Sequence, residues 1–462
     1  MKIAMCASEV VPFAKTGGLA DVAGALPIAL ADEGQEVIII MPRYKAIEDS
    51  KFNIKRLSDN VSFSITGKNI RVFFLENANY FNRDALYTEK GGDYKDNLER
   101  FSYYSRRAIE LLKEINFKPD IIHVHDWQAS LIPVYLKAHF SKDLFYNNIK
   151  TVLTIHNIGY QGLFSKLEFP KLGLDWGLFN IEGLEFYDKV NILKGGIIFS
   201  DIINTVSQTY SRQIQTKEFG FGLEGVLNKR KNSISGIING LDYVIWNPET
   251  DKYIAKNFSA ANHELKARDK EDLQAFCKLP LKKDTPIFGI VSRLAEQKGF
   301  DILAERIDKI CRMDLQLVIL GTGDQKYHQI MEDMAKKYPK VISLHLKFDD
   351  QLAHKIYAGS DIFLMPSKYE PCGLGQLISF RYGTIPLVFK TGGLADTVNK
   401  DNGFIFDNYS AAALIKTIKE AEAVFKNKKK WASLVVNAMK LDFSWEESAK
   451  KYLQMYAKAK NK

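Results

Sequence analysis

Short runs of apolar, largely β-branched residues recur along the chain, separated by longer stretches of amphipathic character. In the first half they are Ile3–Ala7, Val37–Met41, Val72–Leu75, Ile121–Val124, Val152–Ile155, Ile202–Val206 and Ile234–Ile238. In the second they are Ile287–Val291, Leu315–Leu320, Val341–Leu346, Ile362–Met365, Ile385–Phe389 and Phe404–Phe406. Apolar runs of this length, spaced by helix-length segments, predict buried parallel strands with crossover helices. Two such series predict two doubly wound α/β domains. The pattern breaks at NGLDYVIWNPETD (Asn239–Asp251), and a polar helical stretch, Asn262–Phe276, leads into the second series. After Leu441, FSWEESAKKYLQMY predicts a terminal helix with Ser444 as N-cap and Glu446 and Glu447 in its first turn. Only Ala457–Lys462 and Lys426–Lys430 read as disordered.

The residues just after each run carry the functional signal. Ser8 and Glu9 succeed the first, His125 and Asp126 the fourth, His156 and Asn157 the fifth, and Asn239 the seventh. In the second half the runs lead into Ser292 and Arg293, into Pro366 and Ser367, and into Lys390 and Thr391. Loops are polar as a rule, but this concentration of His, Asp, Asn and Arg at strand ends exceeds that expectation. Open parallel sheets bind ligands beyond the carboxyl ends of their strands. Two sheets whose carboxyl edges face one crevice would account for the pattern.

Composition narrows the reading. With 462 residues, 46% hydrophobic and 26% charged, the chain has the length of two domains and an ordinary globular balance. The formal charge of +9 is a modest excess, and no DNA- or RNA-binding motif accompanies it, so phosphate-bearing small molecules are expected before nucleic acid. Cys6, Cys277, Cys311 and Cys372 form no CxxC pair, which suits a reduced compartment. MKIAMCASEV is cut off by Glu9 before a secretory leader can form, and no apolar stretch reaches the ~18 residues of a membrane span. A soluble, cytoplasmic protein is expected.

The heptapeptide KTGGLAD occurs twice, at Lys15–Asp21 and Lys390–Asp396, each time between an apolar run and a helical stretch. Adjacent glycines let backbone N–H groups approach an anion, and a helix start favours negative charge. Singly, such a loop is more often an unliganded turn. One copy per half suggests a phosphate or sugar held from both sides. SRLAEQKG sets Arg293 and Lys298 five residues apart after a strand; the pair is either a solvated loop end or a phosphate clamp, and the glycine loops favour the clamp. KYEPCGLGQ places Glu370 on a stiffened turn before Cys372 and Gly373. His123 and His125 alternate along a strand and share a face, but no third zinc ligand stands at a recognisable spacing. There is no Asp-x-Asp to hold a divalent cation against a diphosphate. GTGDQK (Gly321–Lys326) lacks the third glycine of a dinucleotide fingerprint, and no GxxxxGK[ST] loop is present. No metal and no cofactor are expected.

Together, SEVVPFAKTGGLADVAGALP, YKDNLERFSYYSRRA, HVHDWQASL, TIHNIGYQGLF, GIINGLD, SRLAEQKG and KYEPCGLGQ through TGGLADTV resemble the bacterial and plant glycogen and starch synthases, in family order from Ser8 to Val398. The resemblance implies a GT-B glycosyltransferase: two Rossmann-like domains, 1–240 and 241–442, facing a deep cleft, with the helix 443–462 returning to the first. It implies metal-independent transfer of glucose from ADP-glucose to the non-reducing end of an α-1,4-glucan, with retention of configuration. By motif, Lys15 is the lysine that binds ADP-glucose, with Gly17 and Gly18 near its phosphates. Asp21 and His156 face the transferred glucose, and Asp126 and Asn239 line the same cleft. Arg293 and Lys298 neutralise the departing diphosphate. Glu370 sits at the reacting centre beside Cys372, Gly373 and Leu374, and Thr391, Gly392 and Gly393 close on the phosphates. Phe348 falls where the family places an aromatic against adenine, and Tyr94, Asp96 and Asn97 fall toward the acceptor. Two departures stand out: Ile378 where many related retaining transferases carry a second glutamate, and Ala85 where the family tends to glycine. A sibling transferase with another acceptor or donor, or an inactive glucan-binding paralogue, is the alternative.

Overall fold

A computed structural model describes residues 1–89 and 91–462. Its packing divides into two units, Met1–Gly240 with Trp445–Lys462, and Leu241–Ser444. Each predicted apolar run falls on a strand. The central ones, such as Ile121–His125 and Gln316–Leu320, are buried on both faces, the environment that a covered parallel sheet offers, while the edge strands Ile234–Gly236, Ile342–His345 and Phe404–Phe406 are partly half-buried.

Among the described residues of the first unit, nine strands form one sheet. From one edge the order is Ile234–Gly236, Ile202–Thr205, Lys150–Ile155, Ile121–His125, Lys2–Cys6, Glu36–Pro42, Ile70–Leu75, Val61–Thr66 and Lys55–Ser58. The first seven run parallel; the last two are an antiparallel edge pair that the apolar pattern did not predict. Lys55–Ser58 is exposed throughout, so it carries no run of buried residues to be recognised. Strand order reverses between Lys2–Cys6 and Ile121–His125, which makes their carboxyl ends the topological switch point of this sheet.

The terminal helix Trp445–Lys460 belongs to this unit. It buries Trp445, Ser448, Ala449, Tyr452, Met455, Tyr456 and Ala459, a stripe at helical spacing, and packs against the helix Gly18–Asp32. The expectation of disorder at Ala457–Lys462 is therefore wrong. Ala459 is fully buried, Lys460 Nζ pairs with Asp120 Oδ1 at 2.7 Å, and Lys462 Nζ donates to Ser233 Oγ at 2.7 Å. Lys426–Lys430 is likewise ordered: Asn427 separates two helices, and its Oδ1 accepts from Lys430 N–H at 3.1 Å.

In the second unit six strands run parallel in the order Ile342–His345, Gln316–Leu320, Ile287–Val291, Ile362–Met365, Ile385–Phe389 and Phe404–Phe406. Helices Phe300–Cys311 and Ala411–Lys426 close one core with them through Leu303, Ile307, Leu317, Ile319, Leu414 and Ile418. Order reverses between Ile287–Val291 and Ile362–Met365. The segments that carry Arg293, Lys298 and Glu370 leave from these two strands. Among the described residues, no helix is long and apolar enough to cross a membrane.

Candidate active site

At the switch point of the first sheet, the strand Lys2–Cys6 leads into buried Ser8 and Glu9. Glu9 collects donors. Its carboxylate accepts from the Thr16 backbone N–H, from Thr16 Oγ1 at 2.6 Å, from Gly17 N–H at 3.2 Å and from the Tyr87 hydroxyl at 2.7 Å. Tyr87 has spent its one proton on the carboxylate, so the 2.7 Å contact with Ser8 Oγ is a bond donated by the serine. Gly17 and Gly18 open the helix Gly18–Asp32, and a Cβ on either would meet nothing within 4 Å. Lys15 Nζ and Asp21 Oδ1 form an ion pair at 2.7 Å, both partly exposed.

Neighbouring strands bring the histidines and Asp126 together. Asp126 comes directly after the strand Ile121–His125 with φ +54°, a left-handed conformation that aspartate adopts more readily than most non-glycine residues. Its Oδ1 accepts from His156 N–H at 2.7 Å. Burial pushes the Asp126 carboxyl up to about 7, against the opposing pull of the His156 and Asn157 amides. His123 and His125 are fully buried. His123 Nδ1 lies 2.8 Å from the Tyr456 hydroxyl of the terminal helix, and its Nε2 lies 2.7 Å from Thr154 Oγ1. His125 Nδ1 lies 2.9 Å from His156 Nε2, with the rings stacked. Burial pulls His123 and His156 down to about 3 and holds His125 well below the ordinary imidazole value, so all three are neutral. His125 Nε2 is buried with no hydrogen-bond partner among the described residues. An orphaned buried N–H is rarer and costlier than an idle lone pair. His125 therefore carries its proton on Nδ1 and donates to His156 Nε2, and His156 carries its own on Nδ1. Asn239 is buried, and its Oδ1 lacks a partner among the described residues.

The acceptor-side candidates hold the chain itself. Asp96 takes both Nη atoms of Arg83, at 2.7 and 2.5 Å. The Tyr94 ring lies under the guanidinium groups of Arg83 and Arg100, at 4.6 and 4.9 Å. Asn97 Oδ1 accepts from Arg100 Nη1 at 2.6 Å, and its Nδ2 donates to the Tyr87 carbonyl at 3.1 Å. Ala85 contributes only its carbonyl, 3.4 Å from the Tyr94 hydroxyl.

In the second unit, Lys298 Nζ pairs with Glu370 Oε2 at 2.7 Å, and Ser367 Oγ donates to the same oxygen at 3.2 Å. Glu370 is buried. Backbone bonds stitch the two segments: Lys368 N–H reaches the Gln297 carbonyl at 3.1 Å, and Gln297 Nε2 the Tyr369 carbonyl at 3.3 Å. Arg293 is exposed, and its guanidinium has no ion-pair partner among the described residues. Phe348 is 86% exposed on the loop before the helix Asp350–Gly359. Thr391 is buried and stands just before the short helix Gly392–Thr397, at its N-cap position but without a side-chain capping bond.

The second glycine pair is packed tight. A Cβ on Gly392, whose φ is +44°, would lie 1.9 Å from the Glu370 carbonyl, and one on Gly393 would lie 2.0 Å from the Cys372 carbonyl. Gly393 N–H donates to the carbonyls of Glu370 and Pro371, each at 3.1 Å. Buried Gln376, quoted in the motif but given no role there, donates from Nε2 to the carbonyls of Cys372 (3.1 Å) and Gly373 (3.0 Å) and to Thr397 Oγ1 at 3.3 Å. It joins the turn of Glu370, Cys372, Gly373 and Leu374 to the second heptapeptide. Ile378, buried on the helix Gly375–Arg381, offers no carboxylate there. Among the described residues no three His, Cys, Asp or Glu side chains group as a metal cage.

Residue by residue, the two lysines assigned to the diphosphate are each paired with a carboxylate assigned to the sugar: Lys15 with Asp21, Lys298 with Glu370. Tyr87 and Gln376 were given no functional role by the sequence, and Glu9 stood out there only as one of the polar residues at a strand end. The one available signal for Glu9 was that it is the first carboxylate after the first strand.

A family model for the starch synthase catalytic domain matches residues 2–229, and one for glycosyl transferases group 1 matches residues 273–438. The chain is 47% identical to the glycogen synthase of Geotalea daltonii, covering 99% of this chain and 98% of that one. It is 46% identical to the glycogen synthase of Thermosipho africanus, covering 100% of both. Among solved structures it matches the catalytic domain of starch synthase IV from Arabidopsis thaliana bound to ADP and acarbose, at 34% identity and a TM-score of 0.89, over 100% of this chain and 99% of that one. A sucrose-phosphate synthase from Thermosynechococcus elongatus, at 18% identity and a TM-score of 0.62, shares the fold.

Proposed function

The chain belongs to the family of glycogen and starch synthases, GT-B glycosyltransferases, and from that premise we propose its reaction. Glucose passes from ADP-glucose to the non-reducing end of an α-1,4-glucan, with retention of configuration and release of ADP, in the cytoplasm. The observation that carries this reading is the full-length agreement with a solved starch synthase domain that holds ADP and acarbose.

The leaving ADP gains negative charge as the C1–O bond breaks, and preorganised cations aimed at that charge lower the barrier. Arg293, exposed and unpaired, meets the diphosphate directly. Lys298 enters the reaction already positioned by Glu370 at 2.7 Å, and Lys15 is held in the same way by Asp21. With these cations no metal is required. Glu370 orients the transferred sugar, and the acceptor hydroxyl attacks from the face the phosphate leaves, the phosphate taking its proton. His156 presents its Nδ1–H to the glucose, Asp126 sets the His156 backbone, and the idle Asn239 Oδ1 accepts from a sugar hydroxyl. Gly17, Gly18, Thr391, Gly392, Gly393, Cys372, Gly373 and Leu374 shape the donor site, and Phe348 stacks on the base. Tyr94, Asp96 and Asn97 act on the acceptor side through the loop that they brace.

The test is incorporation of labelled glucose into glycogen from ADP-glucose and, in parallel, from UDP-glucose. Transfer from ADP-glucose to glycogen supports the reading. Label recovered only in lipid or protein, or no turnover with either donor, overturns it.

A further inference from the structure

The first KTGGLAD turn has the form of an anion nest, yet an anion is already in it. The Thr16 and Gly17 amides and the Thr16 hydroxyl all point at Glu9, which is 4% exposed and receives a fourth bond from Tyr87. We propose that Glu9 is a positioning residue: a resident carboxylate that sets the Lys15–Gly18 turn before the donor arrives. The donor phosphate then meets Lys15 and the Gly18 amide, which as the first of its helix has no intrahelical partner, and not the amides of Thr16 and Gly17. The inference rests on the donor-site reading above.

The support continues outward. The Tyr87 carbonyl is held by Asn97 Nδ2, Asn97 Oδ1 by Arg100, and buried Arg100 also binds the Tyr80 and Leu86 carbonyls at 2.7 and 3.0 Å. The YKDN motif thus buttresses the residue that fixes Glu9. A carboxylate is the only side chain that accepts at both oxygens. A glutamine at position 9 would turn an N–H₂ toward one set of donors and unseat the turn. In the second heptapeptide the Thr391 amide, the counterpart of that of Thr16, donates to the Phe389 carbonyl at 2.9 Å, so it needs no carboxylate.

The experiment is steady-state kinetics and ADP titration calorimetry on Glu9→Gln, Tyr87→Phe and Lys15→Ala. Glu9→Gln is expected to raise the KM for ADP-glucose and the Kd for ADP by about tenfold or more, as a displaced binding group does. The KM for glycogen and the melting temperature should stay near wild type. Tyr87→Phe keeps the packed ring, removes one bond to Glu9 and should move the same two constants by less. An unchanged donor KM in Glu9→Gln overturns the inference, as does a parallel shift of donor KM, glycogen KM and melting temperature in Tyr87→Phe. If Lys15→Ala raises the donor KM while Glu9→Gln does not, the donor site stands and only the role of Glu9 falls. If Lys15→Ala leaves the donor KM unchanged, the donor reading of this turn falls, and the inference with it.

Discussion

Lys298 and Glu370 lie 2.7 Å apart, carried by segments that leave the two strands at which the second sheet reverses its order. Their side chains are 20% and 9% exposed, so most of the solvent that would screen the pair is excluded. Removing one partner strands the other in that environment, which costs more than the pair contributes.

This pairing makes the two residues a unit. Lys298→Ala is expected to lower kcat by ~100-fold or more. Glu370→Gln should lower it as well, and Lys298→Ala/Glu370→Gln should cost about as much as the worse single change, because each single change already disables the pair. Rate measurements on the three variants check this. Losses that multiply would show independent action.

The two copies of one heptapeptide should respond oppositely to the same substitution. Gly392→Ala and Gly393→Ala drive a methyl into backbone carbonyls at 1.9 and 2.0 Å. These variants should lose ~1–3 kcal/mol of stability or more. Gly17→Ala and Gly18→Ala meet open space and should melt within a few degrees of wild type, while weakening donor binding. Thermal melts of the four variants decide the matter.

The buried histidines set the acid limit of stability. Their folded values are depressed below the ordinary ~6.5, so their contribution is complete above that pH and is lost as pH falls toward about 3. Asp126 works the other way: its value is raised to about 7, so its contribution is complete below the ordinary carboxylate range and is lost as pH rises through about 7. Three histidines outweigh one aspartate, so stability should fall from pH 6 to pH 5 by on the order of 2 kcal/mol. Asp126→Asn should steepen that fall. Denaturant titrations across this range measure both slopes.

How much of this was legible depended on where the determining contacts lie. Parallel strands were readable because burial on both faces writes itself into a continuous run, as at Ile121–Val124. The edge strand Lys55–Ser58 is exposed and left no such trace. The tail Ala457–Lys462 looked polar and solvated, but its order comes from Asp120, Ser233 and the core around Ala459, all distant in sequence. The motifs located the loops. They were silent on which carboxylate meets which donor: Lys15–Asp21 spans 6 residues, Lys298–Glu370 spans 72, and Tyr87–Glu9 spans 78. The identical letters of the two heptapeptides also concealed opposite surroundings, open before Gly17 and closed around Gly393.

The central claim is that fixed protein cations, Arg293 and Lys298 foremost, stabilise the departing diphosphate. The most direct measurement is kcat for glucose transfer from ADP-glucose to glycogen in EDTA, for the wild-type chain and for Arg293→Ala. The account predicts undiminished wild-type turnover and a loss of ~100-fold or more in the variant, with an unchanged melting temperature because Arg293 is exposed and unpaired. Wild-type turnover abolished by EDTA and restored by a divalent cation, or near-normal turnover in Arg293→Ala, would contradict it.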